Sequence, residues 1–164
     1  MVQTEDGKPN VYVPEMAEWI TNLEPEAEAQ ALRPDPAYPF LLQAGRHTST
    51  NANTTMHDPA WNKGRRACTL AIHPDDAAGL KISDGQTVRV ITEAGEVTIE
   101  AEVTTATRRG QVILAHGFGL LYDGKTYGAN VNRLTKNTYR DRFAATPLHR
   151  YVPCRIEAAN ETSR

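Results

Sequence analysis

Between Phe40 and Glu157 the chain returns again and again to short apolar or alternating segments broken by glycine-bearing turns, and this limits its fold more than any other feature. Residues 40–44, FLLQA, run apolar into Gly45, and residues 69–72, TLAI, form a second such run. QTVRVIT (86–92) alternates and is rich in β-branched side chains; EVTIEAEV (96–103) alternates with Val97, Ile99, Ala101 and Val103 on one face. A period of two is the period of a strand, whose successive side chains point to opposite sides. QVILAH (111–116) and YVPCRIE (151–157) bring the number to six, with Pro153 suited to an edge or entry position because it cannot donate to a ladder. Asp84-Gly85, Glu93–Glu96 and Arg108–Gly110 supply turns. Six short, closely spaced strands with little helix predict a mainly β chain, a barrel or a sandwich. The blocks DGQTVRV and GQVILAH, both turn-then-strand, hint at a duplicated barrel.

The remaining segments frame those strands. Met16, Trp19, Ile20 and Leu23 fall at helical spacing and predict a short helix within residues 14–32, ended or kinked by Pro25. RPDPAYP (33–39) carries three prolines and reads as an extended connector. The expected organisation is therefore a lead-in over 1–37, a globular domain over 38–158 and a disordered tail over 159–164. HPDDAAGLKI (73–82) predicts a helical turn: Pro74 suits the first position, Asp75 and Asp76 suit capping, and Gly79 suits the stop. Gly117, Gly119, Gly124 and Gly128 predict that 117–130 is a loop.

Length and charge exclude several function classes. A chain of 164 residues with 40% apolar content can bury a core without disulfide staples. Its 18 basic and 20 acidic residues leave a net charge of -2, which offers no electrostatic case for nucleic acid. No stretch is long enough for membrane insertion, and the first residues lack a signal pattern, so a cytoplasmic, reducing setting is the expectation. Cys68 and Cys154 have no CxxC neighbour and read as buried, reduced side chains. The five histidines show no zinc spacing, so no metal site is expected.

Two segments carry candidate chemistry. GRHTSTNAN (45–53) places Gly45 at a strand end, then the guanidinium of Arg46 and a dense run of short donors and acceptors. Such a loop can wrap a pyrophosphate or a polar heterocycle, or it can be a self-capping Ser/Thr/Asn loop; both readings stand on these residues. HGFG (116–119) sets two glycines around an aromatic at a strand end, suited to lining a flat ligand or to a plain turn. There is no GxSxG elbow, P-loop or carboxylate pair. No catalytic residue emerges, which favours a binding module.

The order of blocks then carries a resemblance. PFLLQAGR, NANTTMHDPAW, IHPDDAAGLKISDGQTVRVITEAGEVTIEAEV, RRGQVILAHGFG, NVNRLT and TPLHRYVPCRIE follow one another as in the C-terminal dinucleotide-binding domain of the dimethyl sulfoxide reductase and formate dehydrogenase family of molybdenum or tungsten oxidoreductases. The chain resembles that domain from Pro39 to Glu157, with Gln86 standing where the family's Asp-Gly-Asp ends. The resemblance implies a six-stranded double-psi barrel that covers and positions a molybdopterin guanine dinucleotide. By position, Gly45, Arg46, His47, Ser49, Asn51 and Asn53 would line the pterin or phosphate side. His116, Gly117 and Gly119 would form a second edge, and Asn132 and Thr135 a third. His149 and Arg150 would reach in from near the chain's end. The family's metal ligand and iron–sulfur cysteines belong to an earlier domain, so the expected partner is the remainder of the oxidoreductase or a larger subunit, and the chain alone should catalyse nothing. Double-psi barrels also serve as cofactor-free adaptor or substrate-recognition modules, the alternative reading. A self-processing decarboxylase barrel would need a Gly-Ser pair, which the sequence lacks.

Overall fold

The computed structural model describes residues 4–33, 35–45, 60, 66–138, 140–141 and 144–159. The chain divides into two compact units, Met1–Arg33 and Pro34–Arg164. In the first, the helical spacing resolves into two short helices, α1 (Pro14–Thr21) and α2 (Pro25–Ala31). Each has a proline in its opening turn, where a missing N–H costs nothing. Pro25 thus opens a second helix beyond the one it was expected to end. Neither helix buries a residue.

The second unit is a closed six-stranded barrel. Its strands are β1 (Phe40–Gly45), β2 (Thr69–Ile72), β3 (Thr87–Ile91), β4 (Glu96–Val103), β5 (Gln111–Ala115) and β8 (Val152–Ala158), in the order β1-β5-β2-β4-β3-β8 around the ring. All six lie where the alternation puts them. Inward residues such as Leu42, Leu70, Val88, Val90, Val112 and Leu114 are fully buried, while Thr87 and Glu96 between turns face out. Closure removes both sheet edges, which an open sandwich would leave to protect. Pro153 is the second residue of β8, opposite Leu41, so it enters the ladder without an edge strand being present.

Two pairs are parallel, β1 with β5 and β2 with β4; the other four are antiparallel. Exchanging β1 with β4, β2 with β5 and β3 with β8 reproduces every pairing and its sense. The duplication hinted at in the sequence is therefore present in the ladder. The equivalent strands differ from those the two blocks suggested, since β3 and β5 do not exchange.

Three local features depart from expectation. In α3 (Pro74–Leu80) the cap is His73, whose Nδ1 accepts from Asp75 N at 3.2 Å. Asp76 instead accepts from Gly110 N at 2.7 Å and ties the helix to the turn before β5. The helix runs through Gly79 and stops at Lys81, which takes the left-handed conformation with φ 56°. The segment expected as a loop contains a hairpin, β6 (Leu121–Tyr122) and β7 (Lys125–Thr126). The tail beyond Ala159 lies outside the described residues.

Candidate functional site

Parallel neighbours end at the same pole of a barrel. β1 and β5 pair from Leu41 opposite Gln111 to Gly45 opposite Ala115, so the chain leaves both strands side by side. Gly45 O accepts from His116 N at 3.2 Å across that junction. Ala44 N donates to His149 O at 2.9 Å, which brings the turn ahead of β8 to the same place. There the half-buried imidazole of His149 has its Nδ1 2.9 Å from Pro147 O, and Arg150 beside it is exposed. Hydrogen bonds from His116 to Gly45 and from Ala44 to His149 thus gather the three segments, although more than 100 residues separate Gly45 from His149. Arg46, His47, Ser49, Asn51 and Asn53 lie outside the described residues.

From His116 the chain turns on two glycines of positive φ, Gly117 (91°) and Gly119 (77°). Between them Phe118 points inward and is 2% exposed, stacked edge-on to Tyr127 with ring centroids 5.9 Å apart. The aromatic of HGFG therefore belongs to the core and cannot line a flat ligand; what the motif shows to solvent is its backbone and His116. Gly119 N donates to Tyr127 O at 2.8 Å, and a Cβ on Gly119 would sit 2.2 Å from Asn130 N. Only glycine permits that approach. It joins the 116–119 edge to the next one.

That next edge is a 3₁₀ turn, Val131–Leu134, capped by Asn130, whose Oδ1 accepts from Asn132 N at 3.0 Å. Thr135 Oγ1 donates to Asn132 O at 3.2 Å, and Leu134 O accepts from Thr92 Oγ1 at 3.0 Å. The backbone of Asn132 is thereby committed to the turn, and its carboxamide is on an exposed residue. Asn130 was not singled out from sequence, yet its backbone occupies the space that a Cβ on Gly119 would need. Its signal was available: an Asn immediately before a compact turn is a capping residue. Cys68 supports this junction from below. Its Sγ accepts from Ala129 N at 3.3 Å, and a Cβ on Gly128 would lie 2.5 Å from it. Burial pushes the Cys68 thiol up to about 11 and the Cys154 thiol to about 12, so both are neutral packing groups at physiological pH.

Chemically, the pole offers backbone N–H groups, imidazoles, carboxamides, a hydroxyl and a guanidinium, and the candidate residues contribute no carboxylate. Such a set suits an anionic ligand rich in acceptors. It does not suit a metal ion, and among the described residues no group of three His, Cys, Asp or Glu could hold one. The described part of the site thus fits a phosphate-bearing cofactor held by hydrogen bonds.

Comparisons with known proteins agree. The family model described as "Molydopterin dinucleotide binding domain" matches residues 40–153. The chain is 33% identical over 135 residues to the F420-dependent formate dehydrogenase subunit alpha of Methanocaldococcus jannaschii, covering 76% of this chain and 17% of that protein. It is 31% identical over 131 residues to the trimethylamine-N-oxide reductase of Haemophilus influenzae, covering 80% and 14%. Among solved structures, the acetylene hydratase from Pelobacter acetylenicus superposes with a TM-score of 0.63 at 18% identity, over 74% of this chain and 18% of that one, a likeness of fold. The chain spans less than a fifth of the length of these proteins.

Proposed function

The chain belongs to the molybdopterin dinucleotide-binding domain family of molybdopterin oxidoreductases, and we propose that it covers one face of a molybdopterin guanine dinucleotide with the pole at which β1 and β5 end. The remainder of a larger oxidoreductase, on the same chain or as a larger subunit, holds the opposite face. When bound, the cofactor supplies the metal centre and the redox chemistry. What this chain supplies is position. The backbone at Gly117, of positive φ and with no Cβ to intervene, is offered to phosphate or pterin oxygens, while the N–H groups of His116 and Gly119 are committed to Gly45 O and Tyr127 O and hold the edge in place. His116, Asn132, Thr135, His149 and Arg150 offer side-chain donors and acceptors to the same ligand. Backbone hydrogen bonds hold His116, Gly119 and His149 at the barrel rim, which reduces the ordering these residues need when the ligand arrives.

The observation that carries this reading is the convergence of Gly45, His116 and His149 on one parallel strand junction, within the span matched by the family model. The test is an amide-shift titration of the chain with GMP or GDP, with AMP as control. Guanine-selective shifts confined to residues 45–53, 116–119 and 130–135 are expected. Equal response to AMP, or shifts centred on α3 and the turn before β5 at the opposite end of the barrel, would sink the assignment.

A further inference from the structure

Cofactor covering does not use the β6–β7 hairpin. Leu120, Leu121 and Tyr122 run along its outgoing arm, 41%, 74% and 46% exposed. At its tip Asp123 and Gly124 both have positive φ, 46° and 70°. That is the backbone of a type I′ turn, whose twist matches two antiparallel strands. A hairpin with arms this short is marginal in isolation. This one has an anchored stem, in which Phe118 is buried against Tyr127 and Gly119 N is bonded to Tyr127 O. It is therefore a preset projection with an apolar arm. Single exposed apolar residues are ordinary; three in succession on a preformed hairpin are not.

We propose that this hairpin docks into an apolar recess on the part of the parent oxidoreductase that lies outside this chain. Two observations select that occupant. The chain spans only 17% and 14% of its formate dehydrogenase and trimethylamine-N-oxide reductase relatives, so most of such a protein lies elsewhere. The hairpin also leaves directly from the His116–Gly119 edge and returns directly into Gly128–Asn130, so polypeptide that closes over the rim meets the hairpin beside it. Asp123 and Lys125 offset each other, which makes the contact apolar in character. The inference rests on the cofactor-covering reading, which places the partner at this pole, and adds the residues that hold the two parts together.

Hydrogen exchange on the intact parent enzyme, compared with this chain by itself, tests the docking. Amides of residues 121–126 should exchange at least about tenfold more slowly in the parent. A photo-reactive residue in place of Leu121 should cross-link to parent polypeptide outside this chain. Leu121→Asp should leave the fold and the GMP response of this chain intact, yet weaken its association with the rest of the parent by about tenfold or more. Equal exchange rates, or a cross-link to a second copy of this chain, would overturn the proposal. The nucleotide titration separates the two ideas: guanine binding with an unprotected hairpin removes the docking alone, and a protected hairpin without guanine response keeps the docking and removes the cofactor assignment.

Discussion

The flank of the barrel formed by β3, β4 and β8 and the pole where β1 and β5 end handle charge in opposite ways. On the flank, Arg89 pairs with Glu96 and Glu157, Arg155 pairs with Glu157 at 2.9 Å, and Arg66 reaches Asp84 at 3.0 Å and Glu100 at 2.7 Å. At the pole, the candidate residues are donors and neutral groups, and the Glu93 carboxylate beside Thr135 is paired with Lys136. A chain of net charge -2 can thus gather donors at one pole while the carboxylates of Asp84, Glu96, Glu100 and Glu157 pair with arginines on the flank. Overall charge speaks about the average surface and says little about a single pole.

The largest test of that contrast asks whether the two regions share one core. Leu114 is fully buried in β5, beneath the pole, and pairs with Ala44 and Leu70. Leu114→Ala is expected to lower unfolding stability by about 2–5 kcal/mol, through lost burial and the cavity left behind. Urea denaturation checks it, and flank and pole should melt together; separate transitions would mean two independent units.

Next in size is the alkaline limb. Both thiols ionise later in the fold than in the unfolded chain, whose ordinary value is 9.0. The folded state then retains a proton that the unfolded state loses, so stability is complete below about pH 9 and falls as pH rises toward about 11 for Cys68 and about 12 for Cys154. The loss should be on the order of a few kcal/mol, and Cys68→Ala should flatten its share in thermal melts taken across that range. An unchanged slope in the variant would show that Cys68 ionises freely.

Gly119→Ala sharpens the contrast by striking the pole alone. The new Cβ meets the Asn130 backbone at a positive φ, a cost of about 1–3 kcal/mol. Amide shifts should move across 116–135 and the GMP response should fall, while the resonances of β3, β4 and β8 stay in place. Perturbation spreading to Arg89 and Glu157 would erase the distinction between the regions.

The smallest effect belongs to the flank. A hydrogen bond from Val103 N, and then Arg66, hold the Asp84 carboxyl below its ordinary value of 3.8. Its contribution is therefore present above that pH and lost as pH falls through the lowered folded value. Asp84→Asn should reduce the melting temperature slightly at neutral pH, with the gap to wild type closing below about pH 4 and the GMP response unaltered. A gap that persists in acid would mean that the carboxylate's charge is not what matters.

Much of this architecture was legible residue by residue. The six barrel strands follow from alternation, because burying one face of a strand imposes a period of two wherever a core exists. The β6–β7 hairpin was missed although Asp123-Gly124 between LLY and KTY is a strong hairpin signal; its surrounding glycines made the whole stretch read as loop. Site residues were legible only as types. HGFG announced a special backbone, but whether Phe118 faced ligand or core depended on what lay behind it. Asp76 looked like a cap, and is a tie to Gly110, because a carboxylate near a helix start has two donors to choose between and the fold brings the second within reach.

By itself, then, the sequence determined the local states: which segments are strands, where the turns fall, and the order of blocks that marks the family. These depend on neighbours within a few residues. Only the tertiary structure decided that β1 lies parallel to β5, that His149 closes on Ala44, and that Gly119 meets Asn130. Those contacts join groups distant along the chain, and their partners are chosen by ring closure and by the volume of the shared core, which no short window of residues contains.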